Sequence, residues 1–144
     1  MPEKLIHLVK EHLRLFSIQD WAKYREMMLP TVVYEEPATN RKVRGVDEML
    51  KAIQLWTLAF PDLKGTVKNA IVQDDMVMVE ILWEGTHLGL LKGSFGEIPP
   101  TGKKGVVNAV ELFQFKGGKI VELRHYFDLM TILNQIGVPA LAHH

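Results

Sequence analysis

Residues 106–127, VVNAVELFQFKGGKIVELRHYF, decide the fold. Residues 106–115 and 119–127 each alternate side chains with a period of two, and Gly117-Gly118 stands between them. Alternation around a Gly-Gly pair signals an antiparallel β-hairpin. The same period runs upstream. Val77, Val79, Ile81 and Trp83 alternate with Met78, Glu80, Leu82 and Glu84, which predicts a half-buried antiparallel strand. Residues 65–74 predict another strand, with a turn at Asp74-Asp75. Between the two strand blocks, residues 92–104 (KGSFGEIPPTGKK) read as the longest loop, a lid or an oligomer contact.

The first 60 residues have the helical period instead. Leu5, Leu8, Val9, His12, Leu13 and Phe16 recur at three and four residues, an amphipathic helix to about Phe16. Ser17 or Asp20 caps a second, short helix over residues 21–28, which Pro30 ends. Residues 31–35 (TVVYE) are β-branched and aromatic, a short strand, and residues 37–44 read as a polar loop. A third helix spans residues 48–60, with Asp47 as N-cap, Met49, Ile53, Trp56 and Phe60 on one face, and Pro61-Asp62 as its stop. A last helix over residues 129–136 starts at Asp128 and stops at Gly137 and Pro139. Helices first and a strand meander afterwards imply α+β. The expected architecture is a curved antiparallel sheet with the N-terminal helices covering an internal cavity.

With 144 residues and no internal repeat or linker, the chain reads as a single domain over 1–144. Seventeen basic residues balance seventeen acidic ones, so nothing favours nucleic acid or an anionic membrane as partner. The absence of cysteine excludes disulfides, thiolate catalysis and thiolate metal sites. The charged N-terminus lacks the apolar core of a signal peptide, and no stretch approaches the roughly 20 apolar residues of a membrane span. The expectation is a soluble, cytoplasmic protein. Nucleotide-binding, serine-hydrolase and HExxH motifs are absent.

Several segments together resemble the SnoaL-like polyketide cyclase family of the NTF2-like superfamily. They are Ala59-Phe60-Pro61-Asp62-Leu63, Gly85-Thr86-His87-Leu88-Gly89, Pro100-Thr101-Gly102-Lys103, Gly118-Lys119-Ile120-Val121-Glu122, then Asp128 and Leu133-Asn134-Gln135-Ile136-Gly137. The resemblance covers nearly the whole chain in order. It implies a cone-shaped fold similar to ketosteroid isomerases and scytalone dehydratases. It also implies a cofactor-free enzyme that closes a ring by intramolecular aldol condensation. In the family's cyclases an aspartate just after the last strand is the acid/base, and Asp128 matches that position. Many relatives carry Trp three residues before it, where this chain has His125.

Each candidate has a functional and a structural reading. Asp128 is either a base activated by apolar walls or an N-cap. His125 shares strand parity with Val121, Leu123 and Phe127. It either orients substrate or is a core histidine. Glu111 depends on hairpin register. A three-residue loop at 116–118 puts it beside His125 on the cavity face. A loop of Gly117-Gly118 alone pairs it with Arg124 outside and brings Asn108 to the face of His125 instead. His87 continues the parity of Ile81 and Trp83, and either reaches the cavity or serves the structure. Trp56, Trp83, Tyr34 and Phe60 are pocket wall or core. No histidine spacing supports a metal site.

The expected partner is a small apolar or aromatic carbonyl molecule. The enzymatic reading is cyclase-type, or a lyase or isomerase using the same proton transfers. The alternatives are a binder that does not turn its ligand over, and a dimerisation module. Met78, Leu82, Val110 and Leu112 would supply an outer sheet face for a homo-oligomer.

Overall fold

Six strands form one sheet in the order β2-β1-β8-β7-β4-β3, in a computed structural model that describes residues 2–138. The helices are α1 (Pro2–Ile18), α2 (Trp21–Glu26), α3 (Val46–Ala59) and α4 (Leu129–Gln135). The sheet strands are β1 (Met28–Glu36), β2 (Arg41–Arg44), β3 (Lys64–Gln73), β4 (Met76–Thr86), β7 (Lys104–Lys116) and β8 (Lys119–Phe127), and β5 (Leu91–Gly93) pairs with β6 (Gly96–Ile98) as a separate hairpin. This is the α+β cone expected, with one topological difference. β1 runs parallel to β8, so the sheet is mixed, while its other pairings are antiparallel. Among the described residues no helix is long and apolar enough to cross a membrane.

The core lies between the helices and the inner sheet face. α1 buries Val9, His12, Leu13, Leu15 and Phe16, and α3 buries Met49, Leu50, Ala52, Ile53, Trp56, Thr57 and Ala59. β4 contributes Val77, Val79, Ile81 and Trp83 from its inward positions. The opposite face of the sheet keeps apolar groups in solvent: Met78 and Tyr126 are exposed, and Leu82, Val110 and Leu112 are half-buried.

Several local expectations change. α2 ends at Glu26, capped by Asp20, whose Oδ1 accepts from the Lys23 N–H at 3.2 Å. Pro30 lies inside β1, in the irregular stretch between Met28 and Val33 where pairing to β8 is interrupted, so its missing N–H removes no ladder bond. Residues 37–44 are not all loop. A 3-10 turn (Pro37–Thr39) and left-handed Asn40 reverse the chain into β2. Likewise, residues 92–104 contain most of the β5–β6 hairpin. α3 begins one residue before Asp47. Gly45 takes the cap position, and Asp47 sits in the first turn, paired with Arg25 at 2.6 Å. α4 stops before Gly137, which has φ of 90°, whereas Pro139, His143 and His144 lie outside the described residues.

The β7–β8 hairpin combines both alternatives of the register argument. Its loop is Gly117-Gly118 alone, since Lys116 faces Lys119 and Phe115 faces Ile120. The register then shifts, and Gln114 faces Glu122. Val121 is therefore the extra residue of a β-bulge. From there on the pairs are Phe113 with Leu123, Leu112 with Arg124 and Glu111 with His125. The bulge keeps Ile120 and Leu123 both buried, which an uninterrupted period of two does not allow. Leu123, His125 and Phe127 share the inner face as expected, and Val121 leaves it.

Candidate functional site

A cavity with about 700 Å³ of empty space, mouth included, lies between α1, α3 and the inner faces of β4, β7 and β8. Ile53, Phe60, Val107, Leu123 and Ile132 make much of its wall apolar. Leu63 and Phe127 are the lining residues that also reach solvent. Six of the residues expected at the site line it: Glu111, His125, Trp56, Trp83, Tyr34 and Phe60.

Glu111 and His125 are cross-strand partners on β7 and β8. Directly opposed residues hold their Cβ atoms within about 5.5 Å, so both functional groups enter one region of the cavity. The Glu111 side chain is buried and its Oε1 has no hydrogen-bond partner among the described residues. Burial, with the charge of Glu36 adding to it, pushes its pKa from 4.5 up to about 8. His125 accepts from the Trp83 indole N–H through Nε2 at 3.2 Å. That bond leaves the proton of the neutral ring on Nδ1. Burial lowers the His125 pKa to about 4, against the opposing pull of Glu36.

Tyr34 and Trp56 present ring surface, because their polar atoms are used elsewhere. Both donate to Oε2 of Glu36, the tyrosine through its hydroxyl and Trp56 through Nε1 at 2.9 Å. The other oxygen of Glu36 accepts from Thr39 Oγ1 at 2.6 Å and Arg41 Nη1 at 2.9 Å. A fully buried carboxylate with four donors is satisfied, so Glu36 braces two cavity walls. Burial, then the Glu36 charge, raises the Tyr34 pKa well above 10.0.

Three expected residues lie outside the cavity lining. Asp128 is exposed and caps α4: Oδ1 accepts from the Met130 N–H at 3.1 Å and Oδ2 from Thr131 Oγ1 at 2.8 Å. Its carboxylate is occupied at the solvent boundary, so the geometry gives it the capping role of its two readings. Asn108 is exposed on the outer face opposite Leu82, because Val107, Ala109 and Glu111 hold the inward parity of β7, and the bulge in β8 brings His125 to that same face. His87 is buried beneath the segment joining β6 to β7. Its Nδ1 lies 3.0 Å from Thr101 Oγ1, and its ring lies 5.4 Å from that of Phe60.

Two lining or bracing residues were missed as site candidates. Glu36 follows Val32 and Tyr34 on the inward parity of β1, and a glutamate on that parity was a legible signal. His12 occupies the apolar stripe of α1, and the sequence reads it only as part of that stripe.

The family model for SnoaL-like polyketide cyclases matches residues 6–136. The chain belongs to that family. Curated protein sequences give no match. Solved structures give many, over nearly the full chain. AclR from Streptomyces galilaeus, provisionally assigned as a hydroxylase, aligns with a TM-score of 0.81 at 25% identity, covering 95% of this chain and 83% of its own. A provisionally assigned SnoaL-like polyketide cyclase from Jannaschia sp. CCS1 aligns at 0.79 and 27% identity, covering 96% and 94%. IdmH from Streptomyces antibioticus, provisionally assigned as a polyketide cyclase, aligns at 0.78 and 25% identity, covering 93% and 99%. Those alignments span the sheet and the covering helices alike.

Proposed function

We propose that this SnoaL-like protein is an acid/base enzyme acting on a small apolar carbonyl compound, with Glu111 as the proton-transferring group and His125 as its polar partner. The observation that supports this most is an unpartnered buried carboxyl on the wall of an apolar cavity, directly across the strand pair from a neutral histidine. A carboxyl that titrates near neutrality supplies both a base and, once protonated, an acid.

The proposed step is an intramolecular aldol closure. Ionised Glu111 takes a proton from the carbon alpha to a carbonyl, and the electron pair forms an enolate. The Nδ1–H of His125 donates to the enolate oxygen. The alpha carbon attacks a second carbonyl of the same molecule, a carbon–carbon bond forms, and the new alkoxide takes the proton back from Glu111. The ring product has the composition of the open chain. A lyase or isomerase outcome would share the first transfer.

The test is deuterium uptake alpha to the carbonyl of small ketones and diketones in D2O, followed by NMR. The protein should accelerate uptake, and Glu111→Gln should reduce the acceleration roughly 100-fold or more. Unchanged uptake in Glu111→Gln removes that residue from the mechanism and leaves a binding role for the cavity. We also propose that the outer apolar face around Met78 and Leu112 pairs two copies. Sedimentation at micromolar concentration should then give a dimer or tetramer, and a monomer would reject it.

A further inference from the structure

The cavity has a polar position that the proton-transfer chemistry does not use. His12 projects from α1 into the lining and is 2% exposed. Neither of its ring nitrogens has a hydrogen-bond partner among the described residues. Its ring lies 4.2 Å from that of Tyr24 and 5.3 Å from that of Phe113, the next residue after Glu111 on the same face of β7. A leucine at this point of the α1 stripe would pack without the desolvation cost of an imidazole. Buried polar groups are rarely left without partners. Here both nitrogens belong to a ring on the wall of the apolar cavity.

We propose that His12 forms a second polar subsite, at the α1 side of the cavity, which takes an uncharged hydroxyl of the ligand. The inference rests on reading the cavity as a ligand site and deepens it. The ligand then carries a hydroxyl in addition to the carbonyl that meets Glu111. A neutral imidazole offers one N–H and one lone pair. A hydroxyl both donates and accepts, so it satisfies whichever nitrogen it meets, whereas a carbonyl satisfies only the protonated one. An anionic group would call for an imidazolium, and burial holds this ring neutral by lowering its pKa to about 3. The carboxylate of Glu36 and the ionisable carboxyl of Glu111 further oppose an anion in the same space.

The probes are 2-naphthol and naphthalene, which differ by one hydroxyl. Binding is measured by titration calorimetry on the unaltered chain, His12→Leu and Glu111→Gln. The unaltered chain should bind 2-naphthol about tenfold more tightly than naphthalene. His12→Leu should lose that preference while keeping its affinity for naphthalene, and Glu111→Gln should keep the preference. On the unaltered chain, the ring-nitrogen NMR signals of His12 should move with 2-naphthol and not with naphthalene. This keeps the test decisive if His12→Leu does not fold. Equal affinity for the two probes overturns the subsite and leaves the cavity reading intact. A preference that survives in His12→Leu, or is lost instead in Glu111→Gln, also overturns the subsite. Binding of neither probe overturns the subsite and the ligand-cavity reading together.

Discussion

Replacing Glu111 by glutamine should change how stability depends on pH. The carboxyl of Glu111 titrates at about 8 in the folded chain against an ordinary 4.5, because burial penalises its charge. Below pH 4.5 the folded and unfolded chains both carry the proton, so the group adds no pH dependence. Between 4.5 and about 8 the folded chain holds a proton that the unfolded chain has released. Stability therefore falls as pH rises through this window. At about 1.4 kcal/mol for each pH unit, the loss across it is on the order of 5 kcal/mol. That is a large share of the roughly 5–15 kcal/mol that holds a domain of this size together. Glutamine has the same shape and no titration. The difference in unfolding free energy, Glu111→Gln minus the unaltered chain, should grow by that amount from pH 4.5 to pH 9. Urea unfolding followed by the fluorescence of the three tryptophans, at half-unit pH steps, measures it. Taking the difference cancels the histidine titrations common to both chains. A difference that stays level over this range, or that grows toward acid, refutes the buried-carboxyl reasoning.

Three further outcomes follow from the same structure. Acid should weaken the fold from pH 6.5 downward, because His12 and His125 stay neutral in the folded chain to about 3 and about 4 while the unfolded chain takes up protons, and His12→Leu should flatten that limb of a melting-temperature profile. Asp128→Ala should cost about 1 kcal/mol in urea unfolding, the ordinary value of a lost N-cap, with no change in ligand affinity by calorimetry. Gly89→Ala should cost about 3 kcal/mol or more by the same unfolding assay, since its Cβ would stand 1.9 Å from the backbone oxygen of Leu58, where α3 and the chain after β4 meet.

The sequence carried the long elements clearly because period is a local property. β3, β4, β7, β8, α1 and α3 each repeat their pattern often enough to be read. β2 and the β5–β6 strands span only four and three residues, too few to show a period. The parallel pairing of β1 with β8 joins segments some 90 residues apart, which no local pattern encodes. At the site, the inward positions of His125 and Trp83 were legible from alternation, whereas that of Glu111 hung on the hairpin register, which the bulge at Val121 sets. Asp128 was not resolved, because the same residue type at the same point of the chain serves a cap and a base equally well. His12 was hidden for the opposite reason: its place in an apolar stripe reads as packing, and only the third dimension shows that its nitrogens lack partners.

The single extra residue at Val121 works as a phase setting for the hairpin. Loop tips ordinarily tolerate a change of length. In this one, a chain longer by one residue between Gly118 and Leu123, with the bulge kept, would bring Arg124 opposite Glu111 and swing His125 out to solvent. A guanidinium beside that carboxyl would hold it ionised and remove the protonated form that the proposed step requires. Which chemistry the hollow can support is thus decided far from it, by how many residues the strand counts before it enters.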